Sequence, residues 1–176
     1  MTARVAIPLT IGVTSHRNLV ASEVEPIRQC VRDFLARMRR EYPDMPLLVV
    51  SALAEGGDQL VAEEALAAGA RLIAPLPLAR AQYAEDFADA AARARFDALC
   101  DAAQIVELPH LAGTAAPTGH ERDRHYAQAG VYVSDHCHIL LAIWDGKTSN
   151  LLGGTAQIVR YRLRGEKPAL AERRRE

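Results

Sequence analysis

The chain has 176 residues, enough for one domain that buries roughly 70% of the surface its unfolded form exposes. Hydrophobic residues make up 49% and charged residues 24%, which excludes a disordered, collagen-like or disulfide-scaffold chain. The formal net charge of −1 provides no overall field toward nucleic acid or an anionic membrane.

Cys30, Cys100 and Cys137 are odd in number and form no CxxC pair, so neither a structural zinc site nor a secreted disulfide framework is expected. The apolar run in MTARVAIPLTIGVTSHR is too short to span a bilayer, and no A-x-A cleavage site follows it. We expect a cytoplasmic protein with reduced thiols and no membrane contact.

In chain order, VAIPLTIGV (Val5 to Val13) reads as a strand, irregular near Pro8, which cannot donate to a ladder. Ser22 offers an N-cap to a helix whose Ile27, Val31, Phe34, Leu35 and Met38 recur at helical spacing, and Pro43 closes it. LLVVSAL (Leu47 to Leu53) is a buried-strand run. Asp58 then caps a second helix reaching Ala68, with Gly69 where a C-terminal glycine belongs. RLIAPLP (Arg71 to Pro77) is a third strand. Gln82 to Ala103 is Ala-rich and predicts one helix, with Asp86, Asp89 and Arg93 on its solvated face. QIVEL (Gln104 to Leu108) is a fourth strand. Pro109 to His120 is a Gly/Pro/Thr loop, either a lid or a mobile connection. Glu121 to His136 predicts a helix, HILLAIW (His138 to Trp144) a fifth strand, and Gly154 to Leu163 a last helix.

Apolar strands alternating with helices predict an α/β, Rossmann-like three-layer fold, with a mainly parallel sheet of five or more strands and helices on both faces. One domain over residues 1–164 and a charged, flexible tail over 165–176 are expected. Ligands in such sheets bind outside the carboxyl ends of the strands, so the loops after strands are where function is sought.

Three such loops stand out. After the first strand, Gly12, Thr14, Ser15, His16 and Arg17 combine a close backbone turn, two hydroxyls and a guanidinium that can fork onto a phosphate; they also fit a plain polar turn. After the second, Ser51, Glu55, Gly56, Gly57 and Asp58 precede a helix. Paired glycines there leave amides for an anion or a ribose hydroxyl, and the two carboxylates suit a ribose or a base amine; a glycine turn with an N-cap is the alternative. After the fifth, Trp144 and Asp145 lead to Gly153, Gly154 and Thr155, where small residues, free amides and a helix dipole make a phosphate cradle. Neither a Walker A loop nor GxGxxG is present. Trp144 can stack on a base or plug the core.

His136 and His138 flank Cys137, but strand alternation separates them and no third ligand is evident, so no metal is expected. His110, His120 and His125 lie in or beside the long loop and are read as solvated. No G-x-S-x-G elbow supports acyl transfer through Ser15 or Ser51.

These motifs resemble the SLOG superfamily, which gathers the DNA-processing protein A family and the LOG phosphoribohydrolases. SALAEGGDQLVAEEALAAGARLIAPLP is similar to the serine-glycine stretch, helix and strand of the DNA-processing proteins. GGTAQIV resembles the LOG phosphate loop, and DRHYAQAGVYVSDHCHILLAIW the Arg-bearing helix and strand before it. The resemblance covers about residues 5–164. It implies a bacterial, dimeric, nucleotide-binding domain without a cofactor.

LOG enzymes use a glutamate and a helical arginine to cleave an N-glycosidic bond. Gln157 stands in the glutamate place, an amide that cannot act as a general base. Arg124 or Arg122 can stand for the arginine, and Asp145 to Asn150 lengthen the loop. Glu55 replaces the arginine of the DNA-processing loop, so nucleic acid is not the expected partner.

The chain looks closest to the SLOG domains of bacterial conflict systems. The expected function is therefore binding of a nucleotide or nucleotide-derived signal, with phosphate on the Gly154 helix end and Arg17 or Arg124 as its clamp. An N-glycosidic hydrolase, with Glu55, Asp58 or Asp145 supplying the carboxylate that Gln157 lacks, is the first alternative. A DNA- or protein-interaction module using Arg173 to Arg175 is the second.

Overall fold

The structure is a computed structural model that describes residues 6–111, 117–168 and 170. Five strands form a single sheet, and every pairing in it is parallel. In chain order the elements are β1 (Leu9–Ser15), α1 (Val24–Glu41), β2 (Leu47–Val50), α2 (Gly57–Ala67), β3 (Arg71–Leu76) and α3 (Arg80–Ala84). They continue with α4 (Ala90–Ala102), β4 (Gln104–Glu107), α5 (Gly119–Asp135), β5 (Ile139–Ile143) and α6 (Thr155–Arg164). The spatial order is β4-β3-β2-β1-β5, so the chain steps one way from β1 to β4 and then returns to the other side of β1.

That reversal sorts the helices. Right-handed crossovers carry α1, α2 and α4 over one face, and the returning crossover puts α5 on the other. The strands agree. Ile11 and Val13 join the core with Val31, Leu35 and Met38 of α1, whereas a Cβ on Gly12 would meet Val133 and Cys137 at the end of α5. Gly12 is therefore a packing glycine: α5 approaches β1 too closely for any side chain.

On the first face, Leu60, Val61, Ala62 and Ala65 bury α2 between its neighbours. Arg28 and Arg32 of α1 reach Glu64 at 2.6 and 2.8 Å, and Glu63 takes Arg28 and Arg95 of α4 at 3.1 and 2.8 Å, lacing the three helices together.

Several boundaries differ from expectation, each for a local reason. β1 starts at Leu9, whose amide takes the Pro46 carbonyl after the donor-less Pro8, and it runs on to Ser15 because β5 pairs it that far. β2 ends at Val50: the Ser51 hydroxyl accepts the Leu53 amide, and Leu53 adopts a left-handed φ of 58°. Ser22 caps nothing, since a 3₁₀ turn over Ala21–Glu23 leads directly into α1. The helix expected over Gln82–Ala103 is two helices. Phe87 turns inward at the break to stack on Phe96 at 4.6 Å, and the Asp89 carboxylate restarts the helix by accepting the Ala92 amide.

Among the described residues no helix is long and apolar enough to cross a membrane. The long loop over 109–120 and the terminal stretch lie partly outside the described residues, and Arg173 to Arg175 wholly so. Within that stretch Gly165 turns the chain with φ 72°, Pro168 is buried, and the Leu170 carbonyl meets Arg124.

Candidate functional site

A cleft of about 610 Å³ opens at the carboxyl ends of β1 and β5, where the strand order reverses. Its floor is Thr14, Ser15, His16 and Arg17, continuing β1. Asp123, Tyr126 and Gly130 of α5 form one wall, and Leu151 to Thr155 entering α6 form another. Asp58 lies deep in it, and Asp145 stands at the rim.

α6 starts directly after the glycine pair, but neither glycine amide is free as expected, since that of Gly153 is taken by Gln157 Oε1. Gly154 is the N-cap, its amide spent on the Leu151 carbonyl, and Thr155 and Ala156 hold the first two helical amides. A helix provides no acceptor for such amides, and its dipole favours an anion there. Gly153 explains the glycine pair. Its φ is 74°, and a Cβ would lie 2.7 Å from the Ala127 amide nitrogen, so the loop rests directly on the backbone of α5.

Arg17 is the cationic side chain of the lining, against Asp58, Asp123 and Asp145. Its guanidinium lies 5.1 Å from the Tyr126 ring centroid, a cation–π contact, hydrogen-bonds the same side chain and feels the charges of Asp86 and Asp58, yet forms no ion pair among the described residues. Tyr126 is fixed in turn. Its hydroxyl bonds Asp86 and accepts from Arg122 Nε at 2.9 Å, and Arg122 holds Asp86 at 2.8 Å. Asp86, read from sequence as part of a solvated face, instead binds Arg122 because the helix breaks between α3 and α4, while Asp89 stays exposed and caps α4.

Asp58 is buried, and loss of solvent pushes its carboxyl up from 3.8 to about 6. Ser15 Oγ donates to it at 2.6 Å, and the Ser51 hydroxyl and Ala54 backbone also bond it, opposing the shift without cancelling it. Across the rim, His16 Nε2 is 3.2 Å from Asp145 Oδ1. The Lys147 amide, then His16, holds the Asp145 carboxyl below its usual range.

The three expected loops thus converge, but only part of each faces the cleft. Thr14, Ser15, His16, Arg17, Asp58, Asp145, Gly153, Gly154 and Thr155 line it. Gly12 lies beneath α5, and Ser51 is fully buried under Asp58. Glu55 points to the Ala88 amide at 3.4 Å. Gly56 and Gly57 join two loops: the Gly57 amide donates to the His16 carbonyl at 3.3 Å, and a Cβ on Gly56 would lie 2.0 Å from the Arg17 carbonyl oxygen. The Gly57 amide is therefore taken up by the chain itself, and Gly56 is filled by the Arg17 backbone.

Arg124 is buried and donates to the Leu170 carbonyl at 2.7 Å, away from the cleft. Gln157 Oε1 accepts the Gly153 amide at 2.7 Å and braces the loop. Trp144 lines a separate groove on the α1 face. His125, expected in solvent, is buried with its ring 4.9 Å from His110, and burial followed by His110 lowers its pKa.

His138 Nδ1 accepts the Thr10 amide and His136 Nδ1 meets the Tyr132 carbonyl, so the two serve local structure. Among the described residues no three His, Cys, Asp or Glu side chains cluster to hold a metal. Sequence reasoning missed Asp123, Tyr126 and Gly130. Their i, i+3, i+7 spacing is the signal that puts them on one face of α5.

No protein-family model matches the chain, and none of the curated proteins does. Among solved structures it is similar to DNA processing protein A (DprA) from Streptococcus pneumoniae, with a TM-score of 0.56 and 14% identity. The match covers 89% of this chain and 46% of that one, so the chain spans about half the length of the protein it resembles. The chain has a SLOG-like fold. At this identity the likeness concerns the fold alone, and the SLOG-like arrangement accounts for the parallel sheet with a crevice at its switch point.

Proposed function

We propose that the chain binds a nucleotide or nucleotide-derived signal in this cleft, as the sensor domain of a bacterial conflict or stress system. The phosphate rests on the Thr155 and Ala156 amides, Arg17 closes over it, and Asp58 or Asp145 meets a ribose hydroxyl or a base amine. The observation that carries the reading is the pairing, in one switch-point cleft, of a helix N-terminus with a guanidinium that forms no ion pair among the described residues. The resemblance on which the reading draws also implies a homodimer.

The test is incubation with AMP, NAD, ADP-ribose and cyclic mono- and dinucleotides, followed by mass spectrometry of retained ligand and released base. Intact retention of one compound, weakened in Arg17→Ala, supports the sensor; neither retention nor turnover overturns it.

A second reading, hydrolysis of an N-glycosidic bond by water, is favoured by Asp58: a buried cleft carboxyl shifted to about 6 suits proton transfer near neutral pH. Base release abolished in Asp58→Asn selects that reading. The name of the similar structure raises DNA handling, but the single guanidinium of the lining, Arg17, matches one phosphate and not the row of phosphates along a nucleic-acid backbone.

A further inference from the structure

The cleft has a neighbour. A groove of about 580 Å³ lies on the α1 face of the sheet, walled by Leu19, Ile27 and Cys30 on one side and by Leu141, Ile143 and Trp144 on the other. The polar cleft lies over the opposite face, against Gly130 of α5 and Ile158 of α6. The two cavities share His16, Asn18 and Asp145 as wall residues. What separates them is the His16–Asp145 pair over the tips of β1 and β5, and its side chains are 41% and 45% exposed. A hydrogen-bonded pair so exposed is a weak clasp.

The groove's chemistry complements the cleft's. The cleft has hydroxyls, carboxylates, a guanidinium and helix amides, and no tryptophan. The groove is mainly apolar and contains a half-buried indole, pinned by its own N–H to the Lys147 carbonyl at 2.9 Å. An indole held at its edge has a face left for stacking. Parallel sheets of this kind take two-part ligands across the point where strand order reverses, one part on each side.

We propose that the groove beside Trp144 is the base subsite of the cleft's ligand. The ligand then straddles the carboxyl ends of β1 and β5, its phosphate-bearing part on the α6 side and an aromatic base against Trp144. This rests on the nucleotide reading of the cleft and extends it from one face of the sheet to both. The wall that the two cavities share at His16, Asn18 and Asp145 favours this occupant over a second copy of the chain. Displacing the His16–Asp145 clasp is the conformational step that binding requires, and it links occupancy to the β5–α6 loop through Lys147, whose amide bonds Asp145 at 3.0 Å.

Trp144 is the single tryptophan of the chain, so its emission reports on this groove alone. AMP, ADP-ribose, NAD and inorganic phosphate are titrated in parallel by calorimetry and by tryptophan fluorescence. A nucleotide that binds is expected to change Trp144 emission, whereas phosphate leaves it unchanged. Trp144→Ala is expected to weaken nucleotide binding by about tenfold, as lost base stacking does, with Trp144→Phe restoring most of it. Val20→Glu, at a groove residue 66% exposed and so tolerant of a charge, gives a second test of the same loss.

If a nucleotide binds by calorimetry while emission and both variants' affinities stay unchanged, the groove is not its base subsite and the cleft reading stands. If no nucleotide binds, both fall. If emission depends on protein concentration, tracks a dimer in sedimentation and ignores nucleotide, a second copy covers the groove and the proposal is overturned.

Discussion

Ser15 and Asp58 share a hydrogen bond of 2.6 Å that ties the end of β1 to the first turn of α2 at the bottom of the cleft. The carboxyl is held there at a cost, because burial raises it from 3.8 to about 6. Between those values the folded chain holds a proton that the unfolded chain has released. The stabilising share of this group is complete below 3.8 and is lost as pH rises through about 6. Asp58→Asn keeps an acceptor for Ser15 and removes the buried charge. We expect it to be more stable than the natural chain at pH 8 by about 1–3 kcal/mol, with the gap closing under acid. Denaturant midpoints at pH 8 and pH 4 measure it, and equal gaps at both would refute the shift. A stabilising substitution inside the cleft also marks Asp58 as retained for something other than folding.

The two candidate arginines separate cleanly. Arg17 lies over Tyr126 in the cleft, whereas Arg124 is spent on the Leu170 carbonyl. Arg17→Ala is expected to weaken nucleotide binding by about 1.5–3 kcal/mol, the range for a hydrogen bond to a charged group. Arg124→Ala is expected to leave that affinity unchanged while lowering the melting temperature, since a buried carbonyl contact is lost. Calorimetry beside thermal denaturation of the two variants decides, and the opposite pattern would move the phosphate to the far side of α5.

Gly56 and Gly146 share a left-handed backbone, with φ of 89° and 80°. A Cβ on Gly146 meets nothing within 4 Å, while one on Gly56 lands 2.0 Å from the Arg17 carbonyl oxygen. Gly146→Ala should therefore cost about 1 kcal/mol from φ alone. Gly56→Ala must also push the Arg17 loop away, so a loss exceeding about 3 kcal/mol and a displaced Arg17 are expected. Urea denaturation of both variants measures the extra loss, to which the Arg17 contact and the Gly56 ψ of −123° both contribute, and equal losses would mean that the Arg17 loop yields freely.

The strand–helix alternation was legible because two-sided burial writes itself as apolar runs such as LLVV, and the switch-point crevice follows from that topology. The jobs of the glycines were not. Gly12, Gly56 and Gly57 read from sequence as backbone left open to a ligand, yet each accommodates another segment of this chain: α5, the Arg17 carbonyl and Ser15. Composition registers that a side chain must be absent, and only the fold tells what comes near instead. The break before α4 was hidden for a related reason. Local propensity favours one Ala-rich helix, and the inward demand of Phe87, a tertiary contact with Phe96, overrides it. Arg124 stands out in the sequence and Tyr126 does not, because charge is conspicuous there and the facing side of α5 is not.

Gln157 gives the sharpest test of whether the hydrolase reading needs the glutamate it replaces. Its Oε1 accepts the Gly153 amide at 2.7 Å, so the side chain closes the loop over the α6 terminus and takes no part in lining the cleft. A carboxylate accepts the same amide, and as third residue of α6 it would sit where the helix dipole favours an anion. Gln157→Glu is therefore expected to fold normally and to gain about 0.3–1 kcal/mol at neutral pH. It is also expected to release no more base from AMP or NAD than the natural chain does. One oxygen is committed to Gly153 and the side chain lies outside the cleft lining, so the new carboxylate is not placed against a ribose carbon. A rise in base release would mean that the Gly153 contact gives way to substrate and that hydrolysis was lost with a single amide.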